Sequence, residues 1–542
     1  MEDNLLEKEI DSISTSLNLM KTEDTNTISF DFDNLSFPLK EHFSSNGFLL
    51  VLFINPLSGS QEGNTILNLS QEHKDKSIPD YNVITFQDLE NEITQSEIFE
   101  NGNDIKVSFH PAPYNAQSSF STIIFNILNK KDFEKGKNFI IDYLNNYEKN
   151  FLKILIGGGD GTTLRLIEDL YDKKINLSKC IFGSIPLGTG NDLSNATGFG
   201  NTVQIGNKIK YLHRILYTYF IAEECKIDIW EIITKIKAEG SINDIISYGE
   251  RIKCDNQGRK LLLFKKSFIN YMSIGFDAKI GYNFERNRST SRCKNKCVYC
   301  WEAFKRYICC ESDIYLNQVL EGFYVIDDND DNDDNLDNLD NSNNKMNNIN
   351  NDSFVLNNSI DILEQSHKKA IFGVLDNDEL VDKQIKEVIL KDNPVDMICQ
   401  NINFYMGGTR NIWGNSSHIA IKIADLQGDE YKKYKKEILK QYNSEQKYDD
   451  KIIEFFTYGS GIKLALERFN GGYAQKLYQG KGPFIFKFKS EPNYNEIEYL
   501  NKVYLNVDGE FFHLKQPESL IIRLNKKICD GQINFLRNTK GL

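Results

Sequence analysis

An α/β domain followed by a β-rich, β-sandwich-like second domain is the fold the sequence predicts, on three observations. A continuous apolar run at 48–54 and further strand-like stretches of the same kind at 153–156 and 181–185 each enter a glycine-bearing loop and then a helix-like stretch. That order is the mark of a parallel α/β sheet whose strands are buried on both faces. After about residue 222 short strand-like runs take over, at 226–232, 261–273, 401–405, 452–457, 484–489 and 503–507, with a helical stretch at 291–307 between them. The chain's 542 residues suffice for two cores.

Residues 1–45 are polar and weakly periodic and are expected to form a disordered N-terminal tail. The α/β domain is assigned to 46–222 and the β-rich domain to 223–525. Residues 526–542 form a C-terminal tail with the option of packing back on the first domain. Within the second domain, 327–352 is almost wholly Asp and Asn. It lacks the glycine turn and closing glutamate of an EF-hand, so it is expected to be a solvated, disordered insertion.

Composition narrows the function classes. A net charge of −13 disfavours nucleic acid as the main partner and disfavours simple electrostatic adhesion to anionic lipid. No apolar run approaches the roughly 20 residues of a membrane span, and the start MEDNLLEKEIDSIS has no hydrophobic signal core. A cytoplasmic protein with at most peripheral membrane association is expected. Of ten cysteines, Cys293, Cys297, Cys300, Cys309 and Cys310 fall in one stretch. Zinc is the competing reading of the C-x-x-C spacing at Cys297 and Cys300. No histidine or second properly spaced pair accompanies it, so reduced helix cysteines are favoured, with S-acylation near Cys309 and Cys310 a further option.

The strongest chemical signal is the strand-to-helix turn Gly157, Gly158, Gly159, Asp160, Gly161, Thr162, Thr163. Glycines let backbone N–H groups wrap a polyphosphate, and the following helix offers its positive end. It is neither a Walker motif nor the dinucleotide spacing. The plain alternative is a tight turn that needs glycine for its backbone angles. A second such loop, Gly188, Thr189, Gly190, Asn191, Asp192, follows the strand at 181–185, and a third, Asn55 to Ser60, follows the first strand. Here too capping is an alternative reading, since Asn and Asp are good N-caps. Loops from neighbouring parallel strands converge at the carboxyl edge of the sheet, where ligands of open α/β sheets bind.

FINPLSGSQEG, ILIGGGDGTTLRLIEDL and IPLGTGNDLSNATGFG resemble the successive motifs of the diacylglycerol kinase catalytic domain. The wider superfamily includes sphingosine and ceramide kinases and, more distantly, NAD kinases. KIDIWEI, the stretch NYMSIGFDAKIGYNFERNRSTSRCKNKCVYCWEAFKRYI, NINFYMGGTRNIWG and YLNVDGEFFHLKQPESLII are similar to the accessory region of eukaryotic members. The ordered matches run from about 48 to 525.

The resemblance implies an ATP- and Mg²⁺-dependent transferase of lipid signalling. Such a kinase phosphorylates membrane diacylglycerol to phosphatidic acid in a cleft between the two domains. On that reading Gly157 to Thr163 hold the triphosphate, while Asn55, Ser58 and Gly188 to Asn191 complete the nucleotide pocket. Asp160, Asp192 and Asp228 are then an acidic network for Mg²⁺ and its waters. Asp508-Gly509-Glu510 would supply the base: Glu510 accepts the hydroxyl proton and Asp508 helps fix it, with both carboxylates facing one side of an extended strand. The alternative is a β-turn, because Asp-Gly is a common hairpin signal.

Two departures from the family stand out. No cysteine precedes Cys180, so the C1 zinc modules of many eukaryotic members are not expected here, and Arg410 interrupts the usual spelling after Gly407 and Gly408. The rivals are a sphingosine- or ceramide-type lipid kinase and a catalytically inactive scaffold of the same fold.

Overall fold

The computed structural model describes residues 49–539 except 59–61, 87–119, 147–150, 189, 204, 207, 247–248, 288–313 (Val298 aside), 327–369, 377–378, most of 421–444 and 490–500. The expected N-terminal tail, the acidic insertion, Thr189 and the cysteine stretch therefore lie outside the described residues.

The described residues open with the strand β1 (Leu49–Ile54), the helix α1 (Glu62–Glu72), then β2 (Val83–Phe86) and β3 (Phe120–Asn126). There follow α2 (Lys130–Asn146), β4 (Leu152–Gly158), α3 (Asp160–Asp172), β5 (Cys180–Pro186), the short α4 (Asp192–Ala196), α5 (Ile209–Phe220) and β6 (Glu223–Asp228). The apolar runs become strands because β1, β4 and β5 are covered on both faces. Val51 to Ile54, Ile154 to Ile156 and Cys180 to Ile185 are buried. Strand β1 pairs in parallel with β3 and β4, and β4 with β5. Three glycine-bearing loops thus leave one edge of one sheet.

The β-rich part begins with β7 (Trp230–Ile246), β8 (Gly249–Ile252), β9 (Leu263–Phe268) and β10 (Tyr271–Gly275), which runs into α6 (Phe276–Arg286). Next come α7 (Leu316–Val319), β11 (Leu320–Ile326), β12 (Ala370–Asp376), β13 (Glu379–Glu387), β14 (Asp396–Gln400), β15 (Phe404–Tyr405), β16 (Thr409–Arg410), α8 (Ile412–Asn415) and β17 (His418–Ile419). It closes with β18 (Ile453–Tyr458), α9 (Gly461–Asn470), β19 (Gln475–Gly480), β20 (Phe484–Phe488), β21 (Val503–Val507) and β22 (Glu510–Leu524).

Among the described residues fourteen strands join in one sheet, antiparallel except for β17 against β19. A sandwich would have two separately bonded sheets. Here the long strands β7 and β22 pair along their length, with register shifts on either side of Pro517, and carry the bonding around a bend. Gly240 sits at that bend, where a Cβ would lie 2.3 Å from the Lys515 carbonyl oxygen. One apolar cluster, with Trp230, Trp413, Phe455 and Phe484 fully buried, fills the interior.

The last strand, β23 (Gln532–Arg537), returns to the first sheet. It pairs in parallel with β5 and antiparallel with β6, giving the order β2-β3-β1-β4-β5-β23-β6. The first sheet therefore takes β6 from inside the 223–525 span and β23 from beyond it. Pairing with β23 covers the edge that β5 would otherwise expose, and Phe535 and Leu536 are buried in doing so.

Candidate active site

The first two glycine loops touch backbone to backbone. The N–H groups of Leu187 and Gly188 both donate to the Gly158 carbonyl at 3.0 Å, and Asn55 N–H donates to the Gly157 carbonyl at 2.9 Å. A Cβ on Gly188 would stand 2.4 Å from the Gly159 Cα, so only glycine permits this approach. Beyond the contact the loops open. A Cβ on Gly161 or on Gly190 would meet nothing within 4 Å. The amides of Asp160 and Gly161 begin α3 and have no acceptor within the helix, which leaves them for a ligand or water.

The predicted nucleotide residues divide by what their side chains do. Asn55 folds its Oδ1 onto Leu57 N–H at 3.1 Å, an Asx turn that sets the loop after β1, and its carbonyl accepts from Ser58 N–H at 3.2 Å. Asn191 is buried and closes its own loop, accepting from Gly188 N–H and donating to the Gly188 and Asn201 carbonyls. Thr162 stays at the helix start, half-buried. Thr163 is fully buried and donates to Ser184 Oγ at 3.3 Å. Its hydroxyl thus faces into the sheet and braces the turn from behind, away from the open side.

Two of the three predicted metal carboxylates come together. Asp160 Oδ2 accepts from Asp192 N–H at 2.8 Å and from Asn270 Nδ2 at 2.9 Å, while its Oδ1 is buried with no partner. Both Asp192 oxygens accept from Gly407 N–H at 2.9 Å. This gives the Gly-Gly-Thr loop a job that its spelling did not reveal: its backbone, with φ +71° at Gly407, clasps the α4 carboxylate. Arg410, the departing residue, lies in β16 with its guanidinium 5.6 Å from the Phe404 ring.

Asp228 does not join this pair. Its oxygens accept from Lys451 N–H at 2.6 Å and Gln532 Nε2 at 2.7 Å, which holds the 449–451 turn against β23. Burial, with Asp450 and Asp449 beside it, pushes its carboxyl up to about 7. The three-carboxylate network expected from the sequence is therefore corrected to two, because β6 carries Asp228 into the first sheet beside β23. Among the described residues no group of three His, Cys, Asp or Glu could hold a metal. The unpartnered Oδ1 of Asp160, facing Asp192 and Asp508 electrostatically, is the observation that fits a cation or one of its waters. Magnesium commonly uses one or two carboxylates and completes its shell from phosphates and water.

Asp508 and Gly509 correct another expectation. Val507 pairs with Glu510, and Asp508 and Gly509 have φ of +49° and +81°. This is a two-residue hairpin turn of the primed type, so Asp508 and Glu510 are not i and i+2 of one extended strand. The turn sends the two carboxylates to different partners. Asp508 is cradled by backbone: Oδ2 accepts from Ile269 N–H at 2.7 Å, and Oδ1 from Asn270 and Tyr271 N–H at 2.9 Å each. Glu510 is half-exposed and pairs with Lys266 Nζ at 3.0 Å.

The electrostatics follow from burial and like charge. Burial, then Asp192 and Asp508, hold the Asp160 carboxyl well above the usual range. Burial pushes Asp508 up to about 6 against the pull of its three N–H donors. A triphosphate would add to this charge, so the site calls for cations or shared protons.

Asn270 escaped the sequence reading. Its side chain reaches Asp160 while its amide holds Asp508, so one residue joins the glycine turn to the hairpin. Lys266 was missed as well. The sole signal for either was a place in the strand-like run 261–273.

Comparison with known proteins gives two family-model matches. Residues 267–511 match the diacylglycerol kinase accessory domain and residues 116–216 the diacylglycerol kinase catalytic domain, together more than half of the chain. Diacylglycerol kinase 5 of Arabidopsis thaliana is 33% identical over 162 residues, 27% of this chain and 31% of that protein. Diacylglycerol kinase 1 of Oryza sativa subsp. japonica is 24% identical over 265 residues, 46% of this chain and 45% of that protein. Diacylglycerol kinase zeta of Homo sapiens is 27% identical over 163 residues, 29% of this chain and 16% of that protein. The matched stretch thus spans under half the length of each of these relatives.

Proposed function

Because the chain belongs to the diacylglycerol kinase family, we propose that it is an ATP-dependent lipid kinase: it transfers the γ-phosphoryl group of ATP to the free hydroxyl of diacylglycerol, giving phosphatidic acid and ADP. The observation that carries this reading is the junction at Asn270. There one residue, through two hydrogen bonds, joins a glycine turn suited to phosphates to the hairpin that bears Asp508 and Glu510.

Phosphoryl transfer asks the protein for positioning and charge neutralisation more than for covalent chemistry. The open sides of Gly161 and Gly190 and the first amides of α3 are the seat for the phosphates. Magnesium, when bound, neutralises phosphate charge, and Asp160 with Asp192 would hold it or its waters. Asp508 is a positioning residue, fastening the 269–271 backbone and through it Asn270. Glu510 is half-exposed, so a lipid hydroxyl can approach it, and Lys266 orients its carboxylate. In the transfer the hydroxyl oxygen bonds to the γ-phosphorus, the bridging bond to ADP breaks, and the hydroxyl proton passes to Glu510. No helix among the described residues is long and apolar enough to cross a membrane. Access to diacylglycerol is then from the membrane surface.

Glu510→Gln tests the assignment. ATP affinity should stay within about twofold of wild type, while turnover of diacylglycerol falls by roughly 10²–10⁴, the usual worth of a general base. Near-normal turnover removes Glu510 from that role. A lipid panel with Mg·ATP tests the substrate: phosphorylation of a sphingoid base alone would overturn diacylglycerol while leaving the kinase reading intact.

A further inference from the structure

The segment joining β8 to β9 lies along one edge of β7 and combines basic with exposed apolar residues. Between Arg251 and Lys266 there are six basic residues and one acidic, Asp255, in a protein of net charge −13; Arg251 and Lys253 pair with Asp244, Arg259 with Asp255 and Lys266 with Glu510, so the two that the docking argument uses are Lys260 and Lys265. Three large apolar side chains face solvent among them: Ile252 is 42% exposed, Leu262 39% and Leu263 48%.

The segment is well built. Strand β8 pairs with residues 243–246 of β7, and β9 pairs with residues 230–235, end to end along one edge. Between them Cys254 bridges to Lys260, and Asp255 ties the tip by accepting from the Gln257 and Arg259 amides and from Arg259 Nε. Leu262 and Leu263 are therefore held outward on a rigid ribbon. Such apolar side chains ringed by cations are what an interfacial lipid anchor needs: the leucines enter the acyl boundary while the cations meet anionic headgroups.

Its position connects it to chemistry. Strand β9 leads from Leu263 to Lys266, the partner of Glu510, about 10 Å along the strand. The next residues, Ile269 to Tyr271, are the N–H cradle of Asp508. A membrane met by the leucines would present its interfacial hydroxyls about one headgroup's depth from the candidate base.

We propose that the 251–266 ribbon is the membrane-docking surface of the enzyme, with an anionic lipid bilayer as its partner. The argument rests on the lipid-kinase reading for its link to Glu510, but the docking itself is measured without ATP. The net acidity of the chain means that like charge elsewhere repels an anionic surface and so orients the molecule on it.

The test is co-sedimentation of the full chain with phosphatidylcholine vesicles, with and without phosphatidylserine. Wild type should partition onto the phosphatidylserine vesicles. Leu262→Ser/Leu263→Ser should lower the partition coefficient about tenfold or more. Lys260→Glu/Lys265→Glu, a surface change that spares the leucines, should lower it comparably and remove its salt dependence. With a short-chain diacylglycerol dissolved as monomer both double variants should keep wild-type turnover, and on vesicles both should lose it. Absence of wild-type binding, or unchanged binding by both variants, overturns the docking surface. It is equally overturned if the leucine variant changes only self-association in sedimentation velocity, which would make the ribbon a contact between copies. If diacylglycerol is not phosphorylated in any form while the variants still lose vesicle binding, the kinase reading fails and the docking surface stands.

Discussion

Gly188→Ala probes the contact on which the nucleotide seat depends. The new Cβ would lie 2.4 Å from the Gly159 Cα, 3.0 Å from the Gly159 nitrogen and 2.8 Å from Asn191 Oδ1. Carbon atoms rest at about 3.5 Å or more, so the two loops must part by about 1 Å. Both close carbon and nitrogen neighbours are backbone, so no side chain can swing away. A 1 Å separation also breaks the 3.0 Å bond from Gly188 N–H to the Gly158 carbonyl. Overpacking of this kind costs about 1–3 kcal/mol and the lost hydrogen bond about 1 kcal/mol more. Displacing a phosphate by 1 Å costs about 10² in rate. The expected result is a fall of about 2–4 kcal/mol in unfolding free energy, with turnover down by about two orders of magnitude. Gly190→Ala is the control, because its Cβ meets nothing within 4 Å of the protein. It should leave stability unchanged and weaken ATP binding, since what the methyl group would meet is the ligand. Urea denaturation measures the first quantity, and titration with a fluorescent ATP analogue the second. A Gly188→Ala protein with wild-type ATP affinity and turnover would refute the idea that this loop contact shapes the site. Wild-type ATP affinity in Gly190→Ala would place the phosphates elsewhere.

Two further outcomes concern stability. His213 is buried with its ring stacked on Phe86 and Phe120, at 4.6 and 5.4 Å, and burial pushes it down to about 4 from 6.5. The unfolded chain then binds the proton first as pH falls, so this residue costs stability progressively below pH 6.5, about 2 kcal/mol between pH 7 and 5. His213→Phe should remove that part of the acid slope in urea midpoints measured at the two pH values, and an unaltered slope would show that His213 does not contribute it. Asp508→Asn turns an N–H donor toward one of the three backbone donors that the carboxylate now accepts. A loss of about 2–4 kcal/mol is expected, and unchanged urea stability would remove the cradle as a fastening.

The sequence by itself determined the strands and the turns. Short, mainly apolar runs of four to seven residues with a glycine-bearing loop after them suit central strands that end in tight loops, so β1, β4, β5 and their three loops were legible from local chemistry. The Asp-Gly pair also carried its hairpin signal locally, although the reading of two carboxylates on one strand face overrode it. Tertiary structure decided everything that depends on residues far apart in the chain. It returned β23 to the first sheet, where Phe535 and Leu536 are buried. It drew Asp228 to Lys451 and Gln532 instead of to Asp160. It gave Asp192 a partner in Gly407, 215 positions away, and placed Asn270 between Asp160 and Asp508. The physical reason is that every residue but proline carries a backbone N–H, and a carboxamide such as that of Asn270 does not name its acceptor. Which donor meets which carboxylate is fixed only when packing brings distant segments within about 3 Å.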